Sequence, residues 1–185
     1  MPRTRFVLSM WMGLALALAT LGVPQAHAIQ IVPSIGISQS PSGHGNQTMM
    51  AVALRNGFLP RTQLDFQAGY RSEKMEFAGE NFTMKTVPLT LSMWVSPVPM
   101  LYAGGGLGWY QTTYDYASDV PIEDSTEMTM GIHLGGGLNV PIAPRLGLDL
   151  SGRYVFMQKS DQNLQLPTTF NPDFWSTSLG LAISF

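Results

Sequence analysis

From Ile29 onward, apolar residues alternate with small or polar ones at a period of two, in segments of about ten residues, which is the signature of β-strands. In the last segment, "DFWSTSLGLAISF", Trp175, Thr177, Leu179, Leu181, Ile183 and Phe185 fall on one face. Ser176, Ser178, Gly180, Ala182 and Ser184 fall on the other. The same division can be made seven more times, beginning near Ile29, Met50, Leu64, Val87, Leu101, Met128 and Leu146. Eight strands are expected. The charges Arg55, Asp65, Arg71, Glu127, Asp149 and Arg153 all sit on the face opposite the Leu and Ile residues, and His133 joins them.

Alternation alone fits two architectures. In a soluble sandwich the greasy face is the core; in a membrane barrel it meets lipid and the polar face lines the interior. The connections separate the two. Asn56–Arg61, Val95–Pro99 and Val140–Arg145 are short, and each contains proline. Between them lie longer polar stretches, Gln39–Gln47, Ser72–Met84, Asp115–Thr126 and Gln158–Pro172. Short turns at one end and long loops at the other are the pattern of a transmembrane barrel. Tyr70, Trp109, Phe156 and Trp175 fall on the greasy face near the long-loop ends, as an aromatic girdle at a membrane interface would.

The start of the chain and its composition agree. "MPRTRFVLSMWMGLALALATLGVPQAHA" has a basic head, an apolar stretch from Phe6 to Val23 and the small-residue pattern Ala26-His27-Ala28. Residues 1–28 read as a removed export signal, leaving 29–185 as one domain. Arg3 and Arg5 leave with it, so eight basic residues face twelve acidic ones, net −4, which disfavours nucleic acid as a partner. Cysteine is absent, so no disulfide or thiolate metal site is available. Charged residues make up 12% of the chain and mean hydropathy is +0.09. A soluble domain carries about a quarter charged residues, so much of this surface is expected to touch something apolar.

The signal, the eight amphipathic segments and the ending "SLGLAISF" resemble small outer-membrane β-barrels of the OmpA, OmpX and OmpW kind. "YAGGGLGWY" and "GGGLNVPIAPRLGLDLSGRYVF" are similar to the middle strands of that broad family. The resemblance implies an all-β fold, an eight-stranded antiparallel transmembrane β-barrel, in the bacterial outer membrane. It also implies that Leu179, Leu181, Ile183 and Phe185 form the terminal signal read by the outer-membrane assembly machinery. Outer-membrane lipid and lipopolysaccharide would surround the wall, and a loop ligand of unknown identity would meet the outer end. The family is diverse, so two uses remain open beside a non-enzymatic surface or structural role. One is an OmpW-like conduit for small hydrophobic molecules; the other is a lipid A-modifying enzyme.

The chemically suggestive residues weigh against the enzyme. A phosphate loop needs its glycines at a strand-to-helix turn and, in P-loops, a following Gly-Lys-Ser/Thr. In "YAGGGLGWY" strand alternation runs straight through and no lysine follows, so Gly104, Gly106 and Gly108 are expected to face inward and make room for bulkier neighbours. Lipid A deacylases resemble "GRYVFMQKSDQNL" loosely, but Phe156 and Gln158 stand where that family has its His and Ser. Asp115, Asp119, Glu123, Asp124 and Glu127 lack the tight spacing and central glycine of a calcium loop. His27, His44 and His133 are too scattered for a metal site, and the two Asn-X-Thr sequons, at Asn46 and Asn81, read as coincidence. No cofactor, metal site or catalytic residue is expected. Arg55, Asp65, Arg71, Glu127, His133, Asp149 and Arg153 are expected to form a paired interior network. Arg55 should lie near Asp65 across the first short turn, Asp149 near Arg153 on one strand, and His133 near Arg153.

Overall fold

The computed structural model describes residues 29–41, 46–77, 80–116, 125–158 and 173–185. The leader 1–28, His44, and Asp119, Glu123 and Asp124 of the acidic stretch lie outside the described residues. Eight strands follow in chain order: β1 (Gln30–Gln39), β2 (Gln47–Leu59), β3 (Thr62–Phe77), β4 (Glu80–Val98), β5 (Leu101–Tyr116), β6 (Ser125–Ala143), β7 (Leu146–Met157) and β8 (Phe174–Ser184). Each pairs antiparallel with the next, and β8 pairs with β1 to close the barrel. Closure leaves no strand edge unpaired, and an open edge could not survive in lipid.

The three short turns all begin with proline, and the first two share the same geometry. Pro60-Arg61, Pro99-Met100 and Pro144-Arg145 each form a two-residue turn. Proline fixes the first φ, and Arg61 and Met100 then take positive φ values of 62° and 72°. That is the type II arrangement. Type II twist does not match a flat hairpin, and a register shift accompanies each turn, at Gly57/Leu59, Val95/Val98 and Pro141/Ala143. At the other end, one stretch expected as a loop is largely strand, and the ends of another are. β3 continues to Phe77 and β4 begins at Glu80, so most of Ser72–Met84 is hairpin; β5 and β6 likewise run into Asp115–Thr126. The polar composition that suggested loops reflects strands that extend past the apolar band while keeping their pairing.

Proline also marks two seams in the wall. Pro33 has no N–H to donate, and the β1–β8 ladder is interrupted between Ile31 and Ser34. Pro88 coincides with the gap between Leu89 and Thr86 on the β3 side of β4.

The barrel is inside-out relative to a soluble domain. Asp65 is 0% exposed and Arg55 2%, whereas Leu134 is 60% exposed and Leu148 42%. Apolar side chains such as Ile35, Met50, Leu107, Ile132 and Leu150 cover the outer face all the way round. A soluble monomer rarely exposes more than a few hundred Å² of continuous apolar surface. This wall is built to meet hydrocarbon.

The in/out assignment predicts that Leu148→Arg, which places a charge mid-strand on the outer face, destabilises the barrel by roughly 2–4 kcal/mol in phospholipid vesicles. Urea titration of the refolded protein measures it. A variant as stable as the parent would mean the apolar face is not the lipid face.

Candidate functional site

The lumen holds the chemistry. Inward positions follow from strand parity, and register decides which of them meet. In the layer toward the short turns, Arg55 Nε donates to Asp65 Oδ2 at 3.0 Å and Nη1 donates to Asp149 Oδ2 at 2.8 Å. Tyr102 Oη donates to the other oxygen of Asp149 at 2.8 Å, and the Arg55 guanidinium lies 4.8 Å from the centre of the Tyr102 ring. Arg153 reaches the second oxygen of Asp65 at 3.5 Å. Two arginines and two aspartates thus form one connected, neutral cluster that ties β2, β3, β5 and β7 together across the barrel. Burying charge is tolerated only on such terms, with opposite charge and hydrogen bonds supplied together.

Glycines clear the inner wall for the large side chains. Trp94, Gly104, Gly135 and Arg153 stand opposite one another on β4, β5, β6 and β7. With two glycines between them, the Arg153 guanidinium reaches 5.0 Å from the centre of the Trp94 ring. One row away, Ser92, Gly106 and His133 are opposite on β4, β5 and β6. His133 crosses Gly106, and its Nε2 lies 2.8 Å from Ser92 Oγ. Tyr102 lies across Gly137: a Cβ built there would stand 2.5 Å from its hydroxyl. Tyr110 lies across Gly108, where a built Cβ would fall 2.6 Å from its hydroxyl. The glycine runs at 104–108 and 135–137 are therefore a cleared strip on which Trp94, His133, Arg153, Tyr102 and Tyr110 rest.

A second layer lies toward the long connections. Arg71 pairs with Glu73, and its guanidinium sits 4.3 Å from the centre of the Phe174 ring. Tyr110 meets Phe174 edge-on, with ring centres 6.0 Å apart.

Of the seven interior residues expected from the sequence, the structure gathers Arg55, Asp65, Asp149 and Arg153 into one cluster. His133 lies beside that cluster, and Arg71 belongs to the upper layer. Glu127 takes no part in these ion pairs; it is half-buried opposite Thr112. The Arg55–Asp65 neighbourhood is as expected, but one finer expectation needs correction. Asp149 does not pair with Arg153, because each reaches across the lumen to a different strand. His133 does lie near Arg153, with both beside the Trp94 ring, but its register partner is Val155 and its hydrogen bond goes to Ser92. Glu73, Trp94 and Phe174 were not anticipated. Glu73 and Trp94 could have been found by continuing the inward parity past Arg71 and Ser92. On the outer face, Tyr70 and Phe156 are exposed while Trp109 and Trp175 are half-buried, and Tyr154 packs on Phe156 with ring centres 4.7 Å apart. Leu179, Leu181 and Ile183 lie on β8, and the Phe185 N–H donates to the Ile29 carbonyl at 3.0 Å.

The Ser92–His133 contact has the look of half a catalytic dyad, but Ser92 and His133 are each 1% exposed. No partner orients His133 Nδ1 among the described residues. A nucleophile needs an oriented base and a substrate within reach; this pair has neither. Among the described residues no group of three or more His, Cys, Asp or Glu could hold a metal.

No protein-family model matches the chain, and neither does any curated protein. Solved structures do. Neisserial surface protein A matches with a TM-score of 0.60 and 14% identity, over 87% of this chain and 98% of that one. Ail, the attachment invasion locus protein of Yersinia pestis, solved with the heparin analogue sucrose octasulfate, matches with a TM-score of 0.56 and 13% identity, over 86% and 98%. The outer membrane protein OprG from Pseudomonas aeruginosa matches with a TM-score of 0.54 and 12% identity, over 85% and 96%. The chain has the fold of the small eight-stranded outer-membrane barrels.

Two measurements test this account of the lumen. Arg55→Met leaves Asp149 without its cation and should cost ~3–5 kcal/mol in urea unfolding; a loss below ~1 kcal/mol, as for an exposed pair, would mean the cluster is solvated. Gly108→Ala should cost ~1–3 kcal/mol by overpacking against the Tyr110 ring. Because the two sites touch, Tyr110→Ala should absorb part of that cost, with a coupling above ~0.5 kcal/mol in a double-mutant cycle. Additive losses would mean the ring does not rest on the glycine.

Proposed function

We propose that the chain is a non-enzymatic protein of the bacterial outer membrane whose sealed barrel holds four connections at the cell surface, where they contact a partner. The observation that carries this reading is the cross-lumen bridge from Arg55 to Asp65 and Asp149. An eight-stranded barrel is only as wide as its side chains. A bridge joining β2, β3 and β7 at that width stiffens the barrel and obstructs it. Chemistry at the Ser92–His133 contact would need an opening that its burial argues against. What remains to meet the outside is the end with the long connections.

The charge distribution sets the partner's chemistry. The short turns carry Arg61 and Arg145 and no carboxylate. The lumen is neutral, with Arg55, Arg71 and Arg153 against Asp65, Glu73 and Asp149. The other nine acidic residues belong to the connections or to the strand ends beside them, against Lys74, Lys85 and Lys159. A net charge of −6 at that end favours a basic or cation-bridged partner. The polyanion bound to Ail is the opposite case.

In planar bilayers the purified protein should raise no discrete channel openings, and liposomes containing it should take up small apolar compounds no faster than empty ones. Sustained openings or accelerated uptake would replace the pedestal reading with a conduit.

A further inference from the structure

We infer that the outer wall binds a compact apolar alcohol in the furrow beside Pro33, with the ligand's hydroxyl donating to the backbone carbonyl of Leu181. The ligand is a solute of the membrane rather than a component of it, and its site is on the wall. The inference therefore goes beyond the proposed role of the connections and does not depend on it.

The acceptor follows from the ladder. Along a strand paired on both sides, successive residues point their N–H and C=O to alternate neighbours. At the end of β8, the Ser184 N–H donates to Arg145 on the β7 side, and the Phe185 N–H donates to Ile29 on the β1 side. Leu181 shares the parity of Phe185, so its N–H and C=O point at β1. Ile31 stands opposite Ile183 and Ser34 opposite Gly180 without a shift of register, which puts Pro33 opposite Leu181. Any other residue at position 33 would donate its N–H to the Leu181 carbonyl. Proline has none to give, so the carbonyl lacks its ladder donor.

The surroundings make that lack costly. β8 has 11 residues, and roughly 9–11 are enough to cross hydrocarbon. Leu181 belongs to the outward apolar row between Leu179 and Ile183, away from both ends of that span. Acyl chains carry no donor at such a depth, and an unsatisfied backbone group in hydrocarbon is expensive.

A furrow lies over the same place. It crosses the outer face from β7 and β8 to β3, with about 730 Å³ of space, within the range of small-molecule sites. Pro33 and Ala68 keep its floor low, Ile35, Met50 and Leu148 rise around it, and Leu181 itself lines it. The unpaired acceptor thus sits in the wall of an apolar recess. Such a recess suits a molecule that is hydrocarbon over nearly all its surface and carries one donor, and an alcohol has that composition. A ketone of the same shape fills the furrow equally well but leaves the carbonyl unpaired. A charged ligand finds no counter-charge among the lining residues.

The test uses protein in phosphatidylcholine nanodiscs, a lipid without hydrogen-bond donors, titrated with cyclododecanol or with cyclododecanone. Binding is read from the amide and carbonyl NMR signals of β1 and β8. The parent protein should bind the alcohol about tenfold more tightly than the ketone, as one hydrogen bond of ordinary net strength gives, and the Leu181 carbonyl signal should move with the alcohol alone. Pro33→Ala returns an N–H to the ladder and leaves the furrow open, so it should bind alcohol and ketone alike. Ala68→Phe, which fills the furrow, should weaken both. Heat-modifiable gel migration checks that each variant is folded. Equal affinity of the parent for alcohol and ketone overturns the inference, and so does a preference for the alcohol that survives Pro33→Ala. A parent that is dimeric in nanodiscs and becomes monomeric as Pro33→Ala would assign the furrow to a second copy of the chain and overturn it as well.

Discussion

Two arginines and two aspartates share a lumen that eight strands make barely wider than the side chains themselves. Most of the interior follows from satisfying them there. A charge without a partner in that space costs several kcal/mol, so each carboxylate oxygen is used: Asp65 serves Arg55 and Arg153, and Asp149 serves Arg55 and Tyr102. The arrangement tolerates little displacement. Its members come from strands far apart in sequence, so it forms only when the barrel has closed in the correct register. A shift of one residue would turn Arg55 to the lipid face and Leu54 to the lumen. The buried cluster therefore acts on register at least as much as on stability.

The glycines are the counterpart of that demand for space. A lumen holding Trp94, Tyr102, Tyr110, His133 and two arginine stems has no room for ordinary side chains beneath them. The register places Gly104 and Gly135 between Trp94 and Arg153, and Gly106 between Ser92 and His133. Rings and stems then lie flat against backbone. Strand glycines cost stability in isolation. Here the lost side-chain contacts are replaced by aromatic ones, and the same glycines let a narrow barrel curve.

The architecture was legible because one period of two, repeated eight times, left little choice of element. The orientation of each face was legible because, within the apolar band, the charges fell opposite the Leu and Ile residues. Partners inside the lumen were much less so. Parity assigns Asp149 and Arg153 to the interior and makes them neighbours along β7, yet a narrow barrel offers each a nearer partner across the space, and that choice depends on how far successive strands are offset. The Arg55–Asp65 neighbourhood survived because a short turn ties those strands together locally. Glu73 was hidden by composition: the polar stretch after Arg71 looked like a loop, although its alternation continued. Trp94 was hidden by expectation, since a large aromatic in a membrane strand suggests the girdle, while its parity with Ser92 puts it inside.

The paired interior also decides where the net charge of the molecule lies. Its three arginines and three carboxylates cancel, so the net −4 of residues 29–185 is expressed elsewhere. The short-turn end carries Arg61 and Arg145, and the acidic excess falls entirely on the other end. The barrel thus has an electrical polarity along its axis that none of its buried pairs contributes to. A fold with a saturated lumen leaves evolution two surfaces to work on, the connections and the wall. In this chain they differ in kind. The end with the connections carries the acidic excess, whereas the wall is a continuous apolar surface.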